Sequence, residues 1–106
     1  MAGYVKNLPA MHRRSEKNIE KYLREQIEKR VHGVCLKFAS MTETGYPDRI
    51  VLLPGGAAYF FELKSKGEKP TRLQSVRHEQ LRDLGFPVFV IDSKESVDEV
   101  INEMAL

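Results

Sequence analysis

Cysteine is nearly absent from this sequence, and its scarcity limits what the chain can do. The single Cys35 cannot form an internal disulfide, and no Cys/His spacing suggests a zinc site. No stretch approaches the ~18–20 apolar residues needed to span a bilayer. The first fourteen residues also lack the apolar segment and cleavage site of a secretion signal. These absences predict an intracellular, cytoplasmic protein in a reducing compartment, with no membrane partner.

The composition that is present is globular, and its charge is unevenly distributed. The 106 residues, 42% hydrophobic and 30% charged, suffice for one domain with one core. Residues 1–37 carry nine Lys or Arg and four Glu, a net charge of +5, whereas residues 38–106 carry a net −3. A second basic stretch spans residues 64–82. A polyanionic partner would therefore meet the front and middle of the chain, although charge that only keeps the surface soluble is the simpler interpretation.

Hydrophobic periodicity predicts the element order α-β-β-β-α-β-α. We expect an N-terminal arm at residues 1–14 and one domain at residues 15–106. Ser15 is the expected N-cap of a helix whose apolar side chains recur at helical spacing: Ile19, Leu23, Ile27 and Val31. Strands are predicted at 34–38, 49–53, 57–64 and 88–91, and the second and third form a hairpin.

The later helices complete an α/β sandwich around a mixed four-stranded sheet. A capping-box pattern from Thr71 to Gln74 opens the second helix, and Gly85 ends it. Its apolar positions are Leu73, Val76, Leu81 and Leu84. The last helix carries Val97, Val100, Ile101 and Met104 on one side.

Two charges stand at the end of the most apolar predicted strand, residues 57–64. Glu62 and Lys64 are two residues apart, so they share one face of the sheet, while Phe61 and Leu63 point the other way. A carboxylate at a buried strand end is costly unless it meets a cation. An ordinary salt-bridged pair would satisfy that requirement, so this triplet alone does not indicate catalysis.

Asp48 at the start of the partner strand changes this interpretation. A strict two-residue loop at Gly55-Gly56 would pair Asp48 with Leu63, on the wrong face. A three-residue loop or one bulge shifts the register by one and brings Asp48 beside Glu62 or Lys64, and Pro54-Gly55-Gly56 suits such a turn. Two carboxylates and an ammonium group at one point would suit Mg²⁺ or Mn²⁺ bound to a phosphate substrate.

Pro47-Asp48, a hairpin and Glu62-Leu63-Lys64 in this order resemble the PD-(D/E)xK signature of restriction-endonuclease-like nucleases. The flanking pattern is similar to the VRR-NUC family, the virus-type replication-repair nuclease domain, from about residue 15 to the end. That pattern comprises Ser15-Glu16, Lys37-Phe38, Gly45-Tyr46-Pro47-Asp48-Arg49, Pro54-Gly55-Gly56, Phe61-Glu62-Leu63-Lys64, Pro70, Leu73-Gln74 and Leu84-Gly85.

The resemblance implies a nuclease core of order α-β-β-β-α-β with a C-terminal helix. It also implies that Asp48, Glu62 and the backbone carbonyl of Leu63 hold the metal, that Lys64 is catalytic, and that Glu16 completes the site. Helical phase supports Glu16 independently, because at about 100° per residue it lies close to the centre of the apolar face of its helix. An interaction with the helix N-terminus is the alternative for Glu16.

Gln74 has two candidate roles, since it can complete the capping box or stand beside the active site as the resemblance implies. Basic residues in the arm and in the loop after Lys64 are candidate contacts to nucleic-acid phosphates: Arg13, Arg14, Lys17, Lys66, Lys69 and Arg72. Solvated charge is the alternative for them. The three histidines show no catalytic spacing, so we expect ordinary surface or partly buried positions.

The expected function is an Mg²⁺- or Mn²⁺-dependent DNA endonuclease, with no small organic cofactor. The resemblance further implies branched DNA such as four-way junctions as substrate, a homodimer, and a bacterial or bacteriophage-infected cell. An exonuclease or flap nuclease of the same fold is one alternative. A nucleic-acid-binding module that does not cleave is another, although Asp48, Glu62 and Lys64 argue against it.

Overall fold

The computed structural model describes residues 10–105, with side chains from Glu16 onward. Its three helices and four strands are α1 (Ala10–Val31), β1 (Val34–Lys37), β2 (Arg49–Leu52), β3 (Ala58–Leu63), α2 (Arg72–Asp83), β4 (Val88–Ile91) and α3 (Lys94–Met104). This order confirms the one predicted from periodicity. Within residues 10–105, no helix is long and apolar enough to cross a membrane.

Helix α1 begins earlier than the sequence predicts. Its first residue is Ala10, so Ser15 lies inside the helix, and the predicted N-cap at Ser15 is wrong. Residues 10–14 contain neither glycine nor proline, and the Ala, Met and Arg residues among them are good helix formers. The local capping signal at Ser15 is therefore overridden. The division of the chain into an arm and a domain at residue 15 stays a prediction.

The sheet is mixed and has the strand order β1-β2-β3-β4. The first three strands are antiparallel, whereas β4 runs parallel to β3. Helices α1 and α3 pack on one face, where the core includes Leu23, Ile27 and Phe61. Helix α2 covers the other face through Leu81, which packs against Phe60 and Val88. The result is the predicted α/β sandwich, with β3 as a central strand.

Helix α2 presents a different face to the sheet from the one that its apolar residues indicate. Leu73, Val76 and Leu84 are 43%, 44% and 74% exposed. Of the predicted apolar positions only Leu81 is buried, and the other buried residue of the helix is His78. With Gln74, which is half-buried, these residues follow the i, i+4, i+7 spacing of one helix face. The helix thus turns a partly polar face toward the C-terminal end of β3.

Candidate active site

The hairpin between β2 and β3 determines which residues meet at the end of the sheet. Arg49 pairs with Phe61, and Leu52 pairs with Ala58. The N–H of Leu53 donates to the carbonyl of Ala57 at 2.9 Å, which leaves Pro54-Gly55-Gly56 as a three-residue loop. This register confirms the predicted shift by one residue. One step beyond Arg49, Asp48 falls opposite Glu62, on the face of the sheet that α2 covers.

Asp48 is fixed against the backbone of β3. The N–H of Leu63 donates to both of its carboxylate oxygens, at 3.1 Å to Oδ1 and 3.3 Å to Oδ2. Burial raises the pKa of the Asp48 carboxyl above its usual range, while the hydrogen bond from Leu63 acts in the opposite direction. The carboxylate is therefore held in place at the C-terminal end of the central strand.

Glu62 is a buried carboxylate held by two side chains of α2. It is 3% exposed. Nε2 of Gln74 donates to its Oε2 at 3.3 Å, and Nε2 of His78 lies 3.2 Å from its Oε1. Burial, and then the negative charge of Asp48, raise the pKa of Glu62 to about 8, while the charge of Lys64 lowers it. Two acids and an ammonium group thus share a site of low dielectric.

Gln74 occupies both of the roles that the sequence left open. Its Oε1 accepts from the backbone N–H of Thr71 at 2.9 Å, and the Thr71 hydroxyl accepts from the backbone N–H of Gln74 at 3.1 Å. These two bonds form the predicted capping box of α2. The amide nitrogen of the same side chain reaches Glu62, so one residue links the start of the helix to the carboxylate pair.

His78 is part of the site, although the sequence did not indicate it. It is 2% exposed, and its contact with Glu62 is one of the buried polar contacts between α2 and β3. Burial is the main cause that lowers the pKa of His78, and the charges of Arg82 and Lys64 add to it. The expectation of an ordinary position is wrong for this histidine. Its spacing of four from Gln74 is the signal that could have identified it.

Glu16 reaches the same region from the other side of the sheet. It lines a cavity of about 290 Å³ together with Lys17, Asp48, Arg49 and Leu63. Its Oε2 accepts a hydrogen bond from the Ser65 hydroxyl at 2.9 Å. Among the side chains from Glu16 onward, however, no three His, Cys, Asp or Glu residues are close enough together to hold one metal ion. Glu16 therefore lies beside the carboxylate pair without forming a compact triad with it.

The basic residues expected to contact nucleic acid lie at several places. Lys17 is exposed and lines the cavity that contains Asp48. Lys66 and Lys69 are exposed in the loop between β3 and α2. Arg72 instead lines a second cavity of about 440 Å³ beside α2, with His78 and Arg82 among its other walls. The predictions for Arg13 and Arg14 concern side chains outside the described part of the chain.

Comparisons with known proteins place this chain in a family. No family model matches the sequence. The chain is 44% identical over 80 residues to "Putative nuclease p44" of Acyrthosiphon pisum secondary endosymbiont phage 1, covering 76% of this chain and 85% of that protein. It is also similar to a solved structure described as a VRR_NUC domain, with a TM-score of 0.78 and 35% identity over 83% of this chain and 95% of that one. With its α/β sandwich and mixed sheet, the chain belongs to the VRR-NUC family.

Proposed function

We propose that this protein is a metal-dependent nuclease that hydrolyses phosphodiester bonds in DNA. The observation that carries the proposal is the placement of Asp48 opposite Glu62, with Lys64 two residues further along the chain, directly after β3. Membership of the VRR-NUC family, and the similarity to a phage protein named as a nuclease, support the same activity. A buried acidic pair lowers the stability of a domain, which favours a functional role for it.

The donor set fits a divalent cation of the size and hardness of Mg²⁺ or Mn²⁺. Such ions prefer carboxylate, carbonyl and water oxygens. Asp48 and Glu62 supply carboxylates, and burial is the main cause that raises the pKa of both, a cost that a bound cation would offset. The N–H of Leu63 points at Asp48. Because the N–H and C=O of a strand residue point to the same side of the strand, the Leu63 carbonyl faces the side on which Asp48 lies.

We assign the cation to Asp48, Glu62 and the Leu63 carbonyl; Glu16, which forms no compact triad with them, would contribute from across the cavity through water bound to the ion. When bound, the ion would polarise phosphoryl oxygens and acidify a water molecule. Lys64 is 8% exposed, so its ammonium group would act in a site of low dielectric, where it orients the attacking water and stabilises charge at phosphorus. Gln74 and His78 keep Glu62 in one orientation, and the Leu63 N–H does the same for Asp48.

The preferred substrate in this proposal is branched DNA, cut by a homodimer. A two-fold dimer would place two active sites so that they cut paired strands. Lys17, Lys66 and Lys69 would contact the phosphate backbone, together with Arg72 and the arm residues Arg13 and Arg14. The protein would work inside a bacterial or bacteriophage-infected cell.

A cleavage assay on DNA of different shapes tests this proposal. End-labelled four-way junction, flap and linear duplex are incubated with the protein, with Mg²⁺, with Mn²⁺ and with a chelator. We expect cutting only with metal, and most rapidly at the junction. A closed circular substrate separates the endonuclease from an exonuclease or flap nuclease of the same fold, because only an endonuclease opens it. Binding without cutting under every condition would contradict nuclease activity.

A further inference from the structure

We propose that Arg49 binds a phosphodiester group of the DNA strand, so that Arg49 and Lys17 form a phosphate subsite in the cavity beside Asp48. The inference rests on the proposed nuclease function and adds to it a ligand-binding residue that is not one of the metal-binding or catalytic groups. It follows from the position of the guanidinium and from the hydrogen bonds that this group does not make.

Arg49 faces the cavity from the side of the sheet opposite to α2. It follows Asp48 at the start of β2, and neighbouring residues of a strand point to opposite faces, so its side chain projects toward α1. It lines the cavity of about 290 Å³ with Glu16, Lys17 and Asp48. A phosphate of the DNA that reaches the carboxylate pair through this cavity would therefore pass the guanidinium of Arg49.

The guanidinium of Arg49 uses few of its donors within the protein. Its side chain is 14% exposed. Among side chains from Glu16 onward, its hydrogen bond runs from Nη1 to the carbonyl oxygen of Asp48 at 2.8 Å. Nε is buried and has no hydrogen-bond partner there. A guanidinium has five N–H donors, so most of its bonding capacity is left unused.

Glu20 compensates the charge of Arg49 only partly. Its Oε2 lies 3.6 Å from Nε, which is an ion-pair distance but too long for a hydrogen bond. Both oxygens of Glu20 already accept from Nη1 of Arg24, at 2.9 and 2.8 Å. Glu20 is thus shared with a second arginine. The largely buried guanidinium of Arg49 therefore lacks an anion that accepts hydrogen bonds from it.

A phosphodiester group would meet that need. Its two nonbridging oxygens can accept two parallel hydrogen bonds from the planar guanidinium of an arginine. Guanidinium groups are also weakly hydrated, which suits them to contacts that are partly buried. Arg49 and Lys17 also offset the negative charges of Asp48 and Glu16 on the same cavity wall. The DNA could then approach the two carboxylates without net electrostatic repulsion from the cavity.

The salt dependence of DNA binding tests this inference. Binding of the full chain to labelled duplex and junction is measured with Mg²⁺ in a Lys64→Ala background, in which cutting is slow compared with binding, at about 50–200 mM salt. Arg49→Met is expected to weaken binding about tenfold and to lower the slope of log affinity against log salt by about one. Arg49→Lys keeps the charge, so it should keep the slope and bind with intermediate affinity.

Glu20→Gln is the matched control, because it removes the acid beside Arg49 and leaves the cation in place. Because it removes a negative charge beside Arg49, it should bind DNA at least as tightly as the parent and with no smaller slope. A slope for Arg49→Met equal to that of the parent would overturn the inference, as would a Glu20→Gln variant that reproduces the loss, since Arg49 would then only tie β2 to α1. If the wild-type protein cuts no DNA and the Lys64→Ala parent binds no DNA, the proposed function itself would instead be refuted.

Discussion

Nε2 of His78 lies 3.2 Å from Oε1 of Glu62, and both side chains are almost completely buried. The contact joins α2 to the C-terminal end of the central strand. Because Gln74, one turn earlier in α2, donates to the other oxygen of Glu62, both oxygens of this carboxylate are held by a single helix. The orientation of Glu62 therefore depends on how α2 packs.

Replacing His78 should weaken the use of metal without removing a metal ligand. In His78→Asn the side chain is too short to hold Glu62 in the same way, and loss of such a supporting partner typically costs about 10–100-fold in metal affinity or activity. We expect a higher Mg²⁺ concentration for half-maximal cleavage. His32→Asn is the control, since His32 is exposed and has a φ of 57° that Asn tolerates. An unchanged Mg²⁺ requirement in His78→Asn would contradict this role.

The two roles of Gln74 can be separated by mutation. Thr71→Ala removes the hydroxyl that accepts from the Gln74 backbone but keeps the contact between the Gln74 side chain and Glu62. It should lower the free energy of unfolding by about 1 kcal/mol and leave cleavage almost unchanged. Gln74→Ala removes the side-chain oxygen that accepts from the Thr71 N–H and the amide that donates to Glu62, so it should lower stability and cleavage together. Denaturant unfolding and cleavage rates measure the two effects, and equal losses of cleavage in both variants would refute the separation.

The stability of the metal-free protein should fall as pH rises from about 6.5 to 8. The pKa of Glu62 is about 8 in the folded chain, against an ordinary value of 4.5. In this pH range the folded state keeps a proton that the unfolded state has released, so raising the pH favours unfolding. Below pH 6.5 the lowered pKa of His78 acts in the opposite direction, because only the unfolded chain then binds a proton on that imidazole.

Thermal unfolding in the presence of a chelator measures this dependence. Glu62→Gln cannot ionise, so its melting temperature should vary much less with pH over the same range. Added Mg²⁺ should stabilise the wild-type protein more at pH 8 than at pH 6.5. A melting temperature that is constant or rises with pH in the wild-type protein, or an equal fall in Glu62→Gln, would show that Glu62 is not the group responsible.

Much of the fold could be predicted because hydrophobic periodicity and turn residues act locally. The hairpin register followed from Pro54-Gly55-Gly56, and the pairing of Arg49 with Phe61 confirms it. The turn predicted Asp48 beside Glu62 or Lys64, and the observed register of the hairpin selects Glu62. The turn and the strand periodicity depend only on residues that are close together in the sequence.

The contribution of α2 could not be predicted in the same way. Its apolar residues suggest a buried face with Leu73 and Val76, yet both are about half exposed. The face that meets the sheet includes His78, whose polar ring is buried because Glu62 supplies a partner for it. Such compensation depends on residues sixteen positions apart. Arg49 was missed for a similar reason, because its significance lies in donors that remain unused after folding.

The most direct test of the account compares cleavage by two site variants and two matched controls at saturating Mg²⁺. Glu62→Gln and Lys64→Ala change the site, whereas Glu79→Gln and Lys29→Ala change exposed residues of α2 and α1. We predict that each site variant cuts DNA about 10²–10³-fold more slowly than the wild type while remaining folded, and that both controls cut at the wild-type rate. Metal-dependent cutting at the wild-type rate by either Glu62→Gln or Lys64→Ala would contradict the site described here.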